Sequence, residues 1–436
     1  MDKIKQIIKN KDLLKKMVYI LAMLFIFRIA AHVPIPGPDP ETVRNFLAEA
    51  FKSNSVLSFL DIFSGGGISQ FSIVMMGLGP YITASIIIQL LTMVFPKLEA
   101  LSKEGEEGQR KINQYSRIIA LPLAIVEGYA AIRFLQYSTS QTGADLLGNP
   151  SLAQWALMLL SIAGGTYFMM WLGELITEKG LGNGVSVLIF AGIVAKIPQS
   201  VGQSLQKIII SEYNPTEIVT QLAILVAMLV VIVAIIFITE GQRRLPISYA
   251  KQMRGAKLYG GIDSFLPVKL NISGVIPIIF AGAFMNIPTM VGFFSQAKNQ
   301  TIARAATWLQ ETFNQQGLPY AIAFFVLVFT FTFFSTFLYF KPKDVAENLQ
   351  KHGGFIPGIR PGTQTEKYLG WLVNRITLWG AIFLSLIAVL PFLVQLYTNV
   401  GNLVIGGTGL LIVVGVAIEV KNHIDAQIIT RSYESI

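Results

Sequence analysis

What most constrains this chain is a repeated pattern of long apolar runs. About 20 predominantly apolar residues suffice to cross a bilayer as a helix. Such runs cover residues 17–33, 71–95, 115–136, 152–176, 183–197, 218–239, 272–294, 318–340, 372–396 and 403–421. The fifth is the shortest. Charge interrupts them only at Arg28, Glu127, Arg133, Glu174, Arg375 and Glu419, with Arg117, Lys196 and Lys421, near the run ends, assigned to the adjoining segments. An ordinary reading of these charges is a helix-end side chain snorkelling to the headgroups. Composition agrees: 53% of the 436 residues are hydrophobic and 14% charged, against about a quarter charged in soluble domains. A soluble enzyme is excluded, and so is disorder, which needs low hydrophobicity and high charge. The expected class is an all-α polytopic membrane protein with ten transmembrane helices.

Ten spans place both termini on one side, and lysine and arginine decide which. Of 34 such residues, 25 fall in one alternating set of connecting segments, at 1–16, 96–117, 178–182, 240–270, 341–371 and the tail from 421. Only six fall in the opposite set. Both termini are therefore expected to be cytoplasmic. The first 16 residues carry six lysines and lead into the first run without a small-residue cleavage site. They read as the start of a retained helix, not a signal peptide. The net charge of +9 follows from this sorting and suits anionic lipid.

The absences narrow the chemistry. There is no cysteine, and the three histidines, His32, His352 and His423, are far apart. Thiolate chemistry, disulfides and Cys-ligated metal are excluded, and there is no HExxH pair. No GxxxxGK[ST] stretch occurs, so any nucleotide-driven work belongs to a partner.

Three features remain. Segments 240–270 and 341–371 are long for simple connections and mix basic residues with Tyr, Phe, Pro and Gly. They read either as positive-inside ballast or as a docking surface for an acidic cytosolic machine. Segment 58–70, S-F-L-D-I-F-S-G-G-G-I-S-Q, is too short and polar to span, and Gly65, Gly66 and Gly67 break any helix. It is an external loop, a surface helix, or a re-entrant segment lining a cavity. Runs two and seven hold Gly77, Gly79, Pro80 and Gly274, Pro277, Pro288, with the amides Gln89 and Asn286. Proline there predicts bent helices, a common mark of moving elements. Runs such as Ile86-Ile87-Ile88, Val187-Leu188-Ile189 and Ile276-Pro277-Ile278-Ile279 suit lipid contact, packing, or a dewetted constriction.

Several stretches in order resemble one family. They include F-R-I-A-A-H-V-P-I-P-G (27–37), F-S-G-G-G-I-S (63–69), P-Y-I-T-A-S-I-I-I-Q-L-L (80–91), K-E-G-E-E-G-Q-R-K-I-N-Q-Y-S-R (103–117) and W-L-G-E-L-I-T-E-K-G-L-G-N-G (171–184). G-Q-R-R-L-P (241–246), G-V-I-P (274–277), F-I-P-G-I-R-P-G (355–362) and G-G-T-G-L-L-I-V-V (406–414) complete the set. The chain resembles the SecY family, the main subunit of the bacterial preprotein translocase. Leu78 and Val185 stand where some members have Ile.

The resemblance implies two inverted five-helix halves around a central pore, at 17–200 and 201–422, with a tail at 423–436. It implies a pore ring of Leu78, Ile82, Val185, Ile189, Ile276, Ile279 and Ile412. It implies a plug within 58–70, centred on Asp61, Ile62, Phe63, Ser64, Gly65, Gly66 and Gly67. It implies a lateral gate between runs two and seven, with Pro80, Ser85, Gln89, Asn271 and Pro277. Docking of the SecA ATPase and of the ribosome with its RNA would fall on Arg243, Arg244, Lys251, Arg254, Lys257, Arg360, Pro361 and Gly362. SecE and SecG would be membrane partners. Signal sequences and nascent chains would be the cargo, and no cofactor is implied. The expected function is a protein-conducting channel in the bacterial cytoplasmic membrane, not an enzyme. A secondary transporter of a small solute is the alternative. It predicts mid-membrane ionisable groups, which are scarce here. An intramembrane enzyme predicts paired Asp, Ser–Lys or His–Glu groups, and none is evident.

Overall fold

The computed structural model describes residues 10–37, 41–44, 46–47, 61, 64–140, 150–179, 182–210, 215–249, 252–254, 257–259, 264–291, 300–313, 317–398 and 407–434. Every apolar run lies on a helix. In chain order these are α1 (Lys11–Ala30), α2 (Gly79–Val94), α4 (Glu106–Ser140), α5 (Leu152–Glu178), α6 (Gly184–Ile210), α7 (Pro215–Glu240), α8 (Ile276–Val291), α10 (Leu318–Tyr339), α12 (Thr363–Thr398) and α13 (Gly407–Glu434). Three helices fall between the runs: α3 (Pro96–Ser102), α9 (Gln300–Thr312) and α11 (Pro342–Lys351).

Local chemistry sets the helix starts. Asn10 caps α1 by accepting from the Leu13 N–H at 3.3 Å. Ser151 and Gln154 close a reciprocal capping box on α5. Proline occupies the first turn of α2, α3, α10 and α11, where its missing N–H costs nothing.

Length and composition qualify four helices among the described residues as spans: 106–133, 152–178, 318–351 and 363–390. A fifth is added if α2 and α3, bent 109° to one another, form one span. Shorter apolar stretches at Gly184–Pro198, Val226–Glu240 and Ile276–Met285 lie within α6, α7 and α8. Among the described residues, length and composition thus qualify fewer helices than the ten spans expected.

The second run departs from expectation. Its helix begins only at Gly79, and residues 64–78 form consecutive turns. Gly77 sits at φ +52° and Gly274 at φ +64°, a region glycine enters without the Cβ penalty. Each is followed by a helix with proline as its second residue, Pro80 in α2 and Pro277 in α8. These two prolines start their helices instead of bending them, which corrects the bent-helix expectation at both positions.

Segment 240–270 is not irregular loop. It carries strands β1 (Gln242–Tyr249), β2 (Gln252–Arg254), β3 (Lys257–Tyr259) and β4 (Ser264–Lys269). β1 pairs antiparallel with β4, Leu245 opposite Leu266, and with the short β5 (Gly354–Phe355) from the other long basic segment. β2 and β3 form a separate two-stranded ladder. Leu245 and Val268 bury against Ala346, Ile356, Leu369, Leu372 and Val373. The two basic segments are therefore one packed unit on an otherwise all-α body.

In the body, α10 packs on α12 and α8, α2 on α4, and α13 on α6, α7 and α12. Lipid tails are as apolar as leucine, so helix association in a membrane depends on close packing. Gly165 of α5 shows this: a Cβ there would strike the Ile73 carbonyl.

Candidate functional site

The site begins with the seven residues expected to form a ring. Leu78 is the N-cap residue of α2, and Ile82 lies one turn on. Val185 and Ile189 lie in the first turns of α6, Ile276 and Ile279 at the start of α8, and Ile412 near the start of α13. All seven join one apolar cluster. Leu78, Ile189, Ile279 and Ile412 are buried in it, and Ile82, Val185 and Ile276 pack against it. The cluster is large, running from Phe27 and Val74 through Tyr320 and Phe324 to Leu384 and Ile418, so the seven share one continuous apolar core. None of the seven side chains offers a hydrogen bond.

The turns at 64–78 bridge two apolar clusters: Val74 and Leu78 belong to the one that holds the seven, and Ile68, Phe71 and Met75 to a second with Ile35, Met158 and Ile162. Their end is tied down where the Ile35 N–H donates to the Phe71 carbonyl and the Ile73 N–H to the Val33 carbonyl, both at 2.9 Å. Gly65 and Gly66 take φ +66° and +91°, and a Cβ on Gly65 would collide with the Phe27 ring. Asp61 is buried, and its Oδ1 accepts from the Ser69 N–H at 2.8 Å and the Ser64 hydroxyl at 3.3 Å. Ile62 and Phe63 lie outside the described residues.

Two cations reach this segment. Arg28 Nη1 of α1 donates to the Gly65 carbonyl at 3.0 Å, and Lys196 of α6 forms an ion pair with Asp61. The helix-end reading of Arg28 is therefore wrong: its guanidinium turns inward to a backbone acceptor. Glu174 is also partnered, with Arg117 at 2.6 Å. Arg133 stacks over Tyr129 and Trp155, and Arg375 over Trp371, as interfacial side chains do.

The expected gate helices, α2 and α8, pack against each other. On α2, Gln89 Nε2 donates to the Ser85 hydroxyl at 3.3 Å, while Gln89 Oε1 is buried without a partner. Before α8, Asn271 Nδ2 donates to the Gly274 carbonyl at 3.0 Å, and its Oδ1 is likewise buried and unpaired. Among the described residues neither oxygen has a partner, and each such buried group costs about 1–3 kcal/mol.

The docking residues lie on the packed basic unit. Arg243 and Arg244 are exposed on β1, and neither has a carboxylate partner among the described residues. Arg254 and Lys257 face each other in register at the β2–β3 turn. Lys251 lies outside the described residues. Arg360 and Pro361 are exposed, and Gly362 takes φ +97°. The Arg360 carbonyl accepts from the Thr365 hydroxyl at 3.0 Å, which fixes this turn to the start of α12.

A mostly helical body with several apolar helices long enough to cross a membrane, and a packed basic unit beside it, is the build of a polytopic membrane protein. A family model described as SecY matches residues 72–421. The protein translocase subunit SecY of Thermotoga maritima is 39% identical over 435 residues, 99% of this chain and 96% of that protein. The Aquifex aeolicus subunit is 39% identical over 99% of this chain and 98% of its own length. This chain belongs to the SecY family. A solved structure of a protein-conducting channel superposes with a TM-score of 0.64 at 16% identity, covering 94% of this chain and 91% of that one. A second, of Sec61 in a canine ribosome–channel complex, gives 0.60 at 16% identity over 94% and 91%. At that identity they speak for the fold alone. Nothing in the family or the geometry favours the small-solute transporter.

Proposed function

We propose that this chain is the channel subunit of a bacterial preprotein translocase. It passes unfolded secretory chains across the cytoplasmic membrane and releases membrane segments sideways. The observation that carries this reading is the nearly full-length likeness to SecY translocase subunits, and the expected ring residues all fall within one continuous apolar core, which supports it. An apolar ring closes by dewetting and adapts to varied side chains because it demands no hydrogen bonds.

A signal sequence is an apolar helix that seeks a lipid-like surface. Bound between α2 and α8, it favours the open form by its differential affinity for that form. Moving such an equilibrium from 1:99 to 99:1 takes about 5.5 kcal/mol. Burying two or three leucines supplies that much, at about 1.5–3 kcal/mol each. A charge in the signal core, costing about 2.5–3.5 kcal/mol, removes roughly half of it, so the equilibrium discriminates defective signals. Residues 61–70 act as the plug.

The energy is external, consistent with the absence of a P-loop motif. The SecA ATPase and the ribosome, with its RNA, dock on the platform of Arg243, Arg244, Lys251, Arg254, Lys257, Arg360, Pro361 and Gly362. SecE and SecG flank the helices. The sorted charge supports both termini in the cytoplasm, with 17–200 and 201–422 as the two inverted halves.

The test is crosslinking of a stalled secretory chain to single cysteines at Ile82, Ile189, Ile279 and Ile412. The native chain has no cysteine, so the background is clean. All four positions should crosslink to the arrested chain. Crosslinks confined to the lipid-exposed Val233 and absent at all four would overturn the reading.

A further inference from the structure

We propose that Asp61, Lys196 and Arg28 form a polar latch that holds the plug closed, and that this latch sets how strong a signal sequence must be to open the channel. The inference rests on residues 61–70 being the plug. The two cations come from α1 and α6, and both reach the same turn. Lys196 pairs with the Asp61 carboxylate and Arg28 donates to the Gly65 carbonyl. A Cβ built on Gly66 would lie 3.6 Å from Lys196 Cε and 3.9 Å from Arg28 Nη1, so both side chains lie against this one turn. Glycine at 65 and 66 permits the positive φ that presents the Gly65 carbonyl to Arg28.

The Asp61 side chain is 4% exposed and that of Lys196 24%. Asp61 performs two tasks. Oδ1 accepts from Ser69 N–H and the Ser64 hydroxyl, tying Asp61 to both ends of the turn at 64–69. Oδ2 is left for Lys196. One carboxylate therefore couples the internal shape of the turn to its attachment on α6.

The energetics suit a reversible catch. The Coulomb gain of a buried pair is largely offset by desolvation, so the intact pair fixes position without locking it. When the turn leaves its seat, both charges regain water. Losing one partner is different, because it leaves an uncompensated charge in the closed form only. Asp61→Asn or Lys196→Gln therefore biases the channel toward open. Both cations, on α1 and α6, and the turn they contact lie in the first half of the chain. Separation of α2 from α8 then need not break the latch directly. It removes the apolar cover, and the latch sets the remaining threshold.

The experiment uses the full translocase complex in planar bilayers and in cells, with signals normalised to channel protein in the membrane by immunoblot. Readouts are resting ion conductance and export of a preprotein whose signal core carries an arginine. Asp61→Asn and Lys196→Gln should each raise both by roughly tenfold or more, the order expected when one partner of a buried pair is lost. The double variant should go no further than the larger single effect, and Lys196→Arg should stay near wild type. Two single variants at wild-type levels, or a double variant equal to the product of the singles, would overturn the latch. Deletion of residues 61–70 separates the two readings. If the deletion raises conductance and Lys196→Gln does not, the latch fails and the plug stands. If the deletion changes neither readout, the plug reading fails and takes the latch with it.

Discussion

Ile82 and Ile279 show how little chemistry a seal requires. Ile279 is buried in the central cluster and Ile82 packs on it, and neither side chain can bond a water molecule. Each excludes water with about 1.5–3 kcal/mol of apolar side-chain transfer. Replacing both with Ser brings two hydroxyls to the constriction and removes that barrier. Resting conductance in planar bilayers should rise severalfold in the Ile82→Ser, Ile279→Ser double variant. Conductance at the wild-type level would remove these two residues from the seal.

At the scale of elements, the basic segments matter as one packed unit. On β1 Leu245 and Ile247 are buried while Pro246 stays outside, and Arg243 and Arg244, neighbours on one strand, point to opposite faces and are both exposed. The Arg360 turn is held at the head of α12 by the Thr365 hydroxyl and by the Glu366 N–H on the Gly362 carbonyl. A side chain offered from a fixed turn loses less entropy on docking than one on a mobile loop. Arg360→Glu should abolish SecA-driven transport in inverted vesicles while the protein still accumulates in the membrane. Normal transport rates would show that Arg360 is not a docking residue. This sheet was not visible in the basic composition of the segment. The alternation of Leu245 and Ile247 is a strand signal, but it is brief and interrupted by Pro246, and the β4 partner lies about twenty residues on. The starts of α2 and α8 were half visible: the glycines and prolines stood in the sequence, but a proline reads equally as a kink or as a first turn until the backbone before it is known.

At the scale of the whole molecule, charge sorting predicts sidedness. Single cysteines replacing Lys103 and Arg304 should react with a membrane-impermeant thiol reagent from opposite faces, Lys103 only in inverted vesicles and Arg304 only in intact cells stripped of their outer envelope. Labelling of both from the same side would refute the alternation of the basic segments.

What the sequence by itself determined is the class and placement of the body: helices, their approximate bounds, and a basic side. Those follow from local composition, because a bilayer acts on each segment separately through apolar length and flanking charge. The expected ring came from family likeness, and its seven residues lie within one large apolar core. Only the tertiary structure decided what holds the turns at 64–78. Asp61 and Lys196 are 135 residues apart, and Arg28 and Gly65 are 37. No local pattern links such positions, since an ion pair across helices is specified by packing geometry and leaves no period in the chain.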